Sequence, residues 1–162
     1  ITYKNINTAE LESEATYTWL DHSGSEYIVY SGFGGKILSR HFFNCSTPIL
    51  HAHGGILPRY RGSTCNYYSY LERSQIGAST IIMTDRLDDG EILDVVVKDK
   101  NIHLTEFDHK LDAQLRIQSL LNVLRGEASQ ERMISEQKEF YNYVIHPLLK
   151  HLAILKSVNF KK

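Results

Sequence analysis

The chain of 162 residues is poor in cysteine, almost without net charge and free of long apolar runs, and each shortage excludes a class of protein. Two cysteines, Cys45 and Cys65, make no disulfide framework, and free thiols fit a reducing, cytoplasmic setting. A formal charge of −1 argues against a nonspecific binder of nucleic acid, which needs a basic surplus. No apolar run approaches the roughly 20 residues of a membrane span, and no signal-peptide pattern is visible. No repeat, low-complexity tract or linker breaks the chain. One domain over residues 1–162 is therefore expected. The first residue is Ile rather than Met, which reads as a processed or shortened start. What is present is ordinary globular composition, 42% hydrophobic and 23% charged.

Periodicity divides the chain into alternating elements. A helix is expected from Thr8, its N-cap, to the turn Asp21–Ser25. Tyr27–Tyr30 reads as a buried parallel strand, followed by a glycine loop, Ser31–Lys36, and a helix near Ile37–Phe43. The apolar run Thr47–Leu50 leads into His51; a helix follows at Thr64–Arg73 and a strand at Ala78–Met83. Ile92–Val97 is a strand by its β-branched content, with Ile102–Leu104 as its hairpin partner. From Asp108 the spacing predicts a helix with Leu111, Leu115, Ile117, Leu120, Leu121 and Leu124 on one apolar face, ending at Gly126. A last helix is expected over Gln130–Tyr143. The apolar stretch Tyr141–Leu155 should dock on the core or on another subunit, which makes a homodimer one expectation. The fold class expected is α/β with a mostly parallel twisted sheet, residues 1–107 forming the core and 108–162 a helical extension.

The stretch from His51 to Leu93 concentrates the candidate chemistry. In extended backbone, His51 and His53 point to one face, roughly 6.6 Å apart. Three readings stay open for the pair: two hydrogen-bonded structural histidines, a zinc site completed by Asp88 or Glu91, or metal-free acyl-transfer chemistry with an imidazole and a carboxylate. Pro58–Gly62 reads as a rigid loop whose arginines are either solvated or bind an anion. The loop Ser31–Lys36 lacks the order of a phosphate-binding loop and reads as a strand-to-helix turn. Tyr67, Tyr68 and Tyr70 form either a stacking cluster or aromatic core.

Leu57-Pro58-Arg59-Tyr60-Arg61-Gly62, preceded by His53 and followed by Leu87-Asp88-Asp89-Gly90, resembles the signature of the folate-dependent formyltransferases. That family acts on methionyl-tRNA, glycinamide ribonucleotide or amino sugars. The resemblance covers about Glu26 to Val97, and His51 stands where the family has Asn. It implies a Rossmann-like catalytic domain with a shortened N-terminal part, and 10-formyltetrahydrofolate as formyl donor. It implies that His53 donates to the formyl oxyanion, that Asp88 orients and charges His53 and takes the amine proton, and that an N–H of His51 completes the oxyanion hole. Phe33, Gly34, Gly35, Ile37, Met83, Thr84 and Leu87 are the implied folate contacts; Tyr60 and Arg61 are the implied acceptor contacts; no metal is implied. The acceptor expected is a primary amine on a nucleotide-linked sugar, with no membrane or nucleic acid as partner. The alternatives are a 10-formyltetrahydrofolate hydrolase and a folate-binding domain inactivated by His51.

Overall fold

A computed structural model describes residues 7, 10–32, 37–128 and 142–159. The first helix, α1 (Glu14–Asp21), begins at Ser13, whose hydroxyl accepts a hydrogen bond from the amide of Thr16 at 3.4 Å. The expected cap, Thr8, lies outside the described residues. Leu20 and Thr16 face inward, and Leu20 joins Ile28, Leu38, Phe42 and Ile49 in an apolar cluster. The strand expected at Tyr27–Tyr30 is reduced to β1 (Ile28–Val29). The expected helix near Ile37–Phe43 is a single 3-10 turn, Arg40–Phe43, with buried Phe42 as its anchor.

β2 (Ile49–His53) pairs with β1 in parallel, Ile28 opposite Ile49. α2 (Cys65–Arg73) then returns the chain to β3 (Ile76–Ile82), which runs antiparallel to β2 with His51 opposite Ile81 and His53 opposite Ser79. β4 (Ile92–Lys98) is antiparallel to β3, with a register shift between Thr80 and Ile81. The α/β alternation expected from the sequence is present, but the four-stranded sheet, in order β1-β2-β3-β4, is mixed rather than mostly parallel. Two features misled the periodicity. β3 is buried along almost its whole length, as a parallel strand would be. Its buried polar side chains are satisfied locally, Thr80 Oγ1 with Ser119 Oγ at 2.9 Å and Ser79 Oγ on the Gly55 carbonyl at 2.7 Å. The Met83–Glu91 connection carries no crossover helix, so β4 comes back antiparallel.

Ile102–Leu104 does not pair with β4. Leu104 enters a 3-10 turn (Leu104–Glu106), and a π-turn (Phe107–Leu111) leads into α3 (Asp112–Leu124). Leu115 is buried on α3, whereas Ile117 and Leu124 are exposed, so the apolar face is narrower than its spacing suggested. Tyr67 and Tyr70 are core residues packed with Ile76, Leu104 and Phe107, and the Tyr67 hydroxyl donates to Asp108 at 2.8 Å. The expected helix at Gln130–Tyr143 lies largely outside the described residues; Asn142 and Tyr143 are not helical, and Asn142 forms an isolated parallel bridge with Arg61. α4 (Pro147–Asn159) docks on the core through buried Ala153, and Lys156 Nζ donates to the carbonyls of Tyr70 and Leu71 at 3.3 and 3.1 Å. That places a cation on the end of α2, where its dipole favours one. No helix among the described residues is long and apolar enough to cross a membrane.

Candidate active site

β2 ends in His53, and the chain leaves the sheet through Gly54 and Gly55 into the loop Ile56–Gly62. The loop folds back over the strand end. It is held there by Leu57 N–H on Ser79 Oγ at 3.0 Å and by Tyr60 N–H on the Ile56 carbonyl at 3.0 Å. This brings the Tyr60 carbonyl to 3.0 Å from His53 Nε2. On the other side of the ring, His53 Nδ1 lies 3.2 Å from Asp88 Oδ1. Asp88 sits at φ 49, a left-handed conformation that Asp tolerates better than most residues. Its second oxygen accepts the Gly62 amide at 2.8 Å.

These partners fix the protonation of His53. A carbonyl can only accept, so Nε2 carries a proton; the carboxylate takes the proton on Nδ1. Burial by itself lowers the pKa of His53, but the Asp88 bond, with the Cys65 thiol and the Asp88 charge, outweighs it and lifts the value to about 10. For Asp88 burial pushes upward, and the His53 bond and charge, together with Gly62 N–H, hold the carboxyl below its ordinary range. The result is an imidazolium–carboxylate pair in which His53 is only 4% exposed.

His51 has the opposite setting. Its Nδ1 lies 3.4 Å from the Tyr30 carbonyl, which makes Nδ1 the protonated nitrogen. Burial is the largest influence and lowers its pKa; the charges of His53 and Arg116 act in the same direction, against the Tyr30 bond and the Asp88 charge. His51 is the neutral partner of a charged His53.

The structure thus brings His51, His53 and Asp88 together and disperses the remaining candidates. The Tyr60 ring is buried, 2% exposed, and its hydroxyl donates to Glu72 at 2.6 Å, so it is the Tyr60 carbonyl that meets the site. Arg61 pairs with Asp89 at 3.1 Å, binding the two loops to each other. Ile37 and Leu87 are 77% and 58% exposed, on segments joined by Arg40 and Asp85 at 3.4 Å. Thr84 braces its own loop, donating to the Asp89 carbonyl at 3.0 Å and accepting from Arg86 N–H at 3.2 Å. Met83 lines a cavity of about 240 Å³ with Phe43, Cys45, Pro48, Ile49 and Ile82. Phe33, Gly34 and Gly35 lie outside the described residues. Both nitrogens of His53 are occupied as donors, which leaves it no lone pair for zinc. Among the described residues no group of three His, Cys, Asp or Glu side chains is placed to hold a metal ion.

Several supports of the site carry no motif. Asn66, 1% exposed on α2, donates to the carbonyls of Gly54 and Gly77 at 3.0 and 2.8 Å and accepts Gly77 N–H at 2.8 Å. It ties the residue after His53 to β3, and a lone Asn in a tyrosine-rich helix was its only sequence signal. Arg116 on α3 donates to the Ala52 carbonyl at 3.2 Å and pairs with Asp112 at 2.8 Å. Asn66→Ala strands buried backbone groups and is expected to cost about 2 kcal/mol in urea denaturation. A loss below roughly 0.5 kcal/mol would show that these bonds do not hold the strand end.

A family model described as formyl transferase matches residues 1–120. The chain belongs to the formyl transferase family. A methionyl-tRNA formyltransferase of Finegoldia magna is 34% identical over 114 residues, covering 68% of this chain and 35% of that relative. The chain therefore spans about a third of the length of this curated relative. Among solved structures, phosphoribosylglycinamide formyltransferase from Campylobacter jejuni superposes with a TM-score of 0.57 at 26% identity, over 74% of this chain and 63% of that one. A sugar N-formyltransferase from Shewanella shares the fold with a TM-score of 0.56 at 18% identity, over 91% of this chain and 65% of that one.

Proposed function

We propose that this chain carries the catalytic site for transfer of a formyl group from 10-formyltetrahydrofolate to a primary amine, and that the amine sits on a nucleotide-linked sugar. The observation that carries the reading is the His53 imidazolium, held between Asp88 and the Tyr60 carbonyl at the end of β2, in a chain of this family. Attack of the amine on the formyl carbon forms a C–N bond and places negative charge on the formyl oxygen. A fixed cation in a buried setting stabilises that charge far better than water does. Collapse breaks the bond from carbon to N10 of the folate, which leaves with a proton. Exposed Ile37 and Leu87, on two joined segments, offer apolar surface for the flat donor. The formal charge of −1 supports a small acceptor over a polyanion. The name of the curated relative favours methionyl-tRNA as the second reading of the acceptor.

Tetrahydrofolate release from the formyl donor tests this, with nucleotide-linked amino sugars, with methionyl-tRNA and with no amine. Release only with an amino sugar is the expected outcome. Release driven by methionyl-tRNA would move the acceptor to the second reading, and release without any amine would make the protein a hydrolase. Absence of release in every mixture would refute formyl transfer.

A further inference from the structure

Formyl transfer, if that reading holds, needs a group that takes the proton of the attacking amine, and the site narrows the choice. His53 holds two N–H bonds already and is cationic. Asp88 has one oxygen on His53 and the other on Gly62 N–H, and these partners hold its carboxyl below the ordinary range, so it acts as the charge partner and is a poor base. His51 is left. With Nδ1–H committed to the Tyr30 carbonyl, its Nε2 bears the lone pair, and among the described residues that nitrogen has no hydrogen-bond partner. We propose that His51, fixed as the Nδ1–H tautomer by the backbone of Tyr30, is the general base that accepts the proton of the attacking amine through Nε2.

The step balances. The amine nitrogen bonds to the formyl carbon, its proton passes to His51 Nε2, and the imidazolium so formed returns a proton to the leaving folate nitrogen as the C–N10 bond breaks. His51 ends the cycle neutral. Its surroundings suit this exchange, since His53 beside it on β2 and Arg116 on α3 disfavour a resting positive charge there. Asp88 on the acidic loop opposes them weakly, and Asp112 neutralises part of Arg116 through their contact at 2.8 Å. A base kept neutral at working pH is available in nearly every molecule. The Asn expected at this position from the family signature can donate and accept hydrogen bonds, but it cannot take a proton. His51 therefore adds a function rather than removing one.

Two measurements on the intact protein test the assignment. A nitrogen–proton correlation spectrum of the histidine rings at neutral pH should show His51 as the neutral Nδ1–H form and His53 protonated on both nitrogens. A His51 carrying its proton on Nε2 would overturn the proposal whether or not the protein is active. In kinetics, wild-type kcat should fall on acidification with a midpoint below the ordinary histidine value of 6.5. His51→Asn should lose about 100-fold in kcat and lose that acid limb, with KM for the folate unchanged. An Asn variant that keeps both the rate and the limb would sink the role of His51 while leaving formyl transfer standing. A wild-type protein that transfers to no amine removes the underlying reading and the base role with it.

Discussion

Asp88→Asn is expected to slow formyl transfer by about 10²–10⁴-fold while folate binding is kept. The substitution is nearly isosteric, and Asn also tolerates the left-handed backbone at φ 49, so the loop need not move. What changes is the bonding. The carboxylate now serves two donors, His53 Nδ1–H and Gly62 N–H. An amide has one oxygen and an NH2 group, so one of the two donors faces another donor. His53 loses the partner that keeps it charged, and the oxyanion loses its cation. Single-turnover rates compared with folate affinity separate this from a loss of binding. Unchanged turnover in the variant would remove Asp88 from the mechanism.

The same pair sets the pH dependence of stability. His53 is raised from 6.5 to about 10 in the folded chain, so its contribution is fully present below pH 6.5 and is lost as the pH rises through about 10. Asp88 is depressed, so its contribution is present above its ordinary value of 3.8 and is lost as the pH falls through its lower folded value. Breaking one side of a buried pair costs about 3 kcal/mol. Denaturant midpoints at pH 7 and pH 10 should therefore differ in the wild type, and the difference should shrink in the Asn variant.

Gly55→Ala is expected to destabilise the fold by about 3 kcal/mol and to abolish transfer, whereas Gly54→Ala one residue earlier is expected to be mild. A methyl at Gly55 would stand 2.5 Å from the Tyr60 carbonyl oxygen and 2.7 Å from His53 Nε2, and against Cys65 Sγ. Those are the two atoms whose hydrogen bond holds the imidazolium, and one of them is backbone. At Gly54 the obstruction is the carboxylate of Asp112 and the guanidinium end of Arg116, both on flexible side chains that can swing aside. At about 2–4 °C per kcal/mol for a chain of this size, the Gly55 variant should melt roughly 6–12 °C below the wild type. Equal melting temperatures for the two variants would contradict the packing described.

Much of this candidate site was legible because its side chains lie at family spacing. His53 and Asp88 were selected by the signature and His51 by its place on the same strand face as His53, and the three lie together. The proton assignments were not legible, because the groups that make them are backbone carbonyls of Tyr30 and Tyr60, and a carbonyl has no letter of its own. Tyr60 and Arg61 show the same limit from the other side. Both look like ligands in a basic loop, yet the Tyr60 hydroxyl is bound to Glu72 and Arg61 to Asp89, partners that come from α2 and the acidic loop. The sheet direction was misread for a related reason. A buried apolar strand looks alike in either orientation, and for β4 the deciding feature was a connection without a crossover helix rather than the strand itself.

Gly62, at φ +100, lies so close to the backbone of Tyr143 that a side chain there would strike the Tyr143 amide nitrogen at 2.5 Å. Tyr143 N–H bonds to the Arg61 carbonyl at 2.7 Å, and Ile145 N–H bonds to Thr64 Oγ1 across 81 residues of sequence. The entropy of closing so long a loop must be met before these contacts form. On the ribosome, β2, α2 and β3 emerge before residues 142–145 and can pair while the loop above them still lacks its clamp. The clamp arrives only with residues 142–145, so the geometry around His53 is completed after the sheet that carries it.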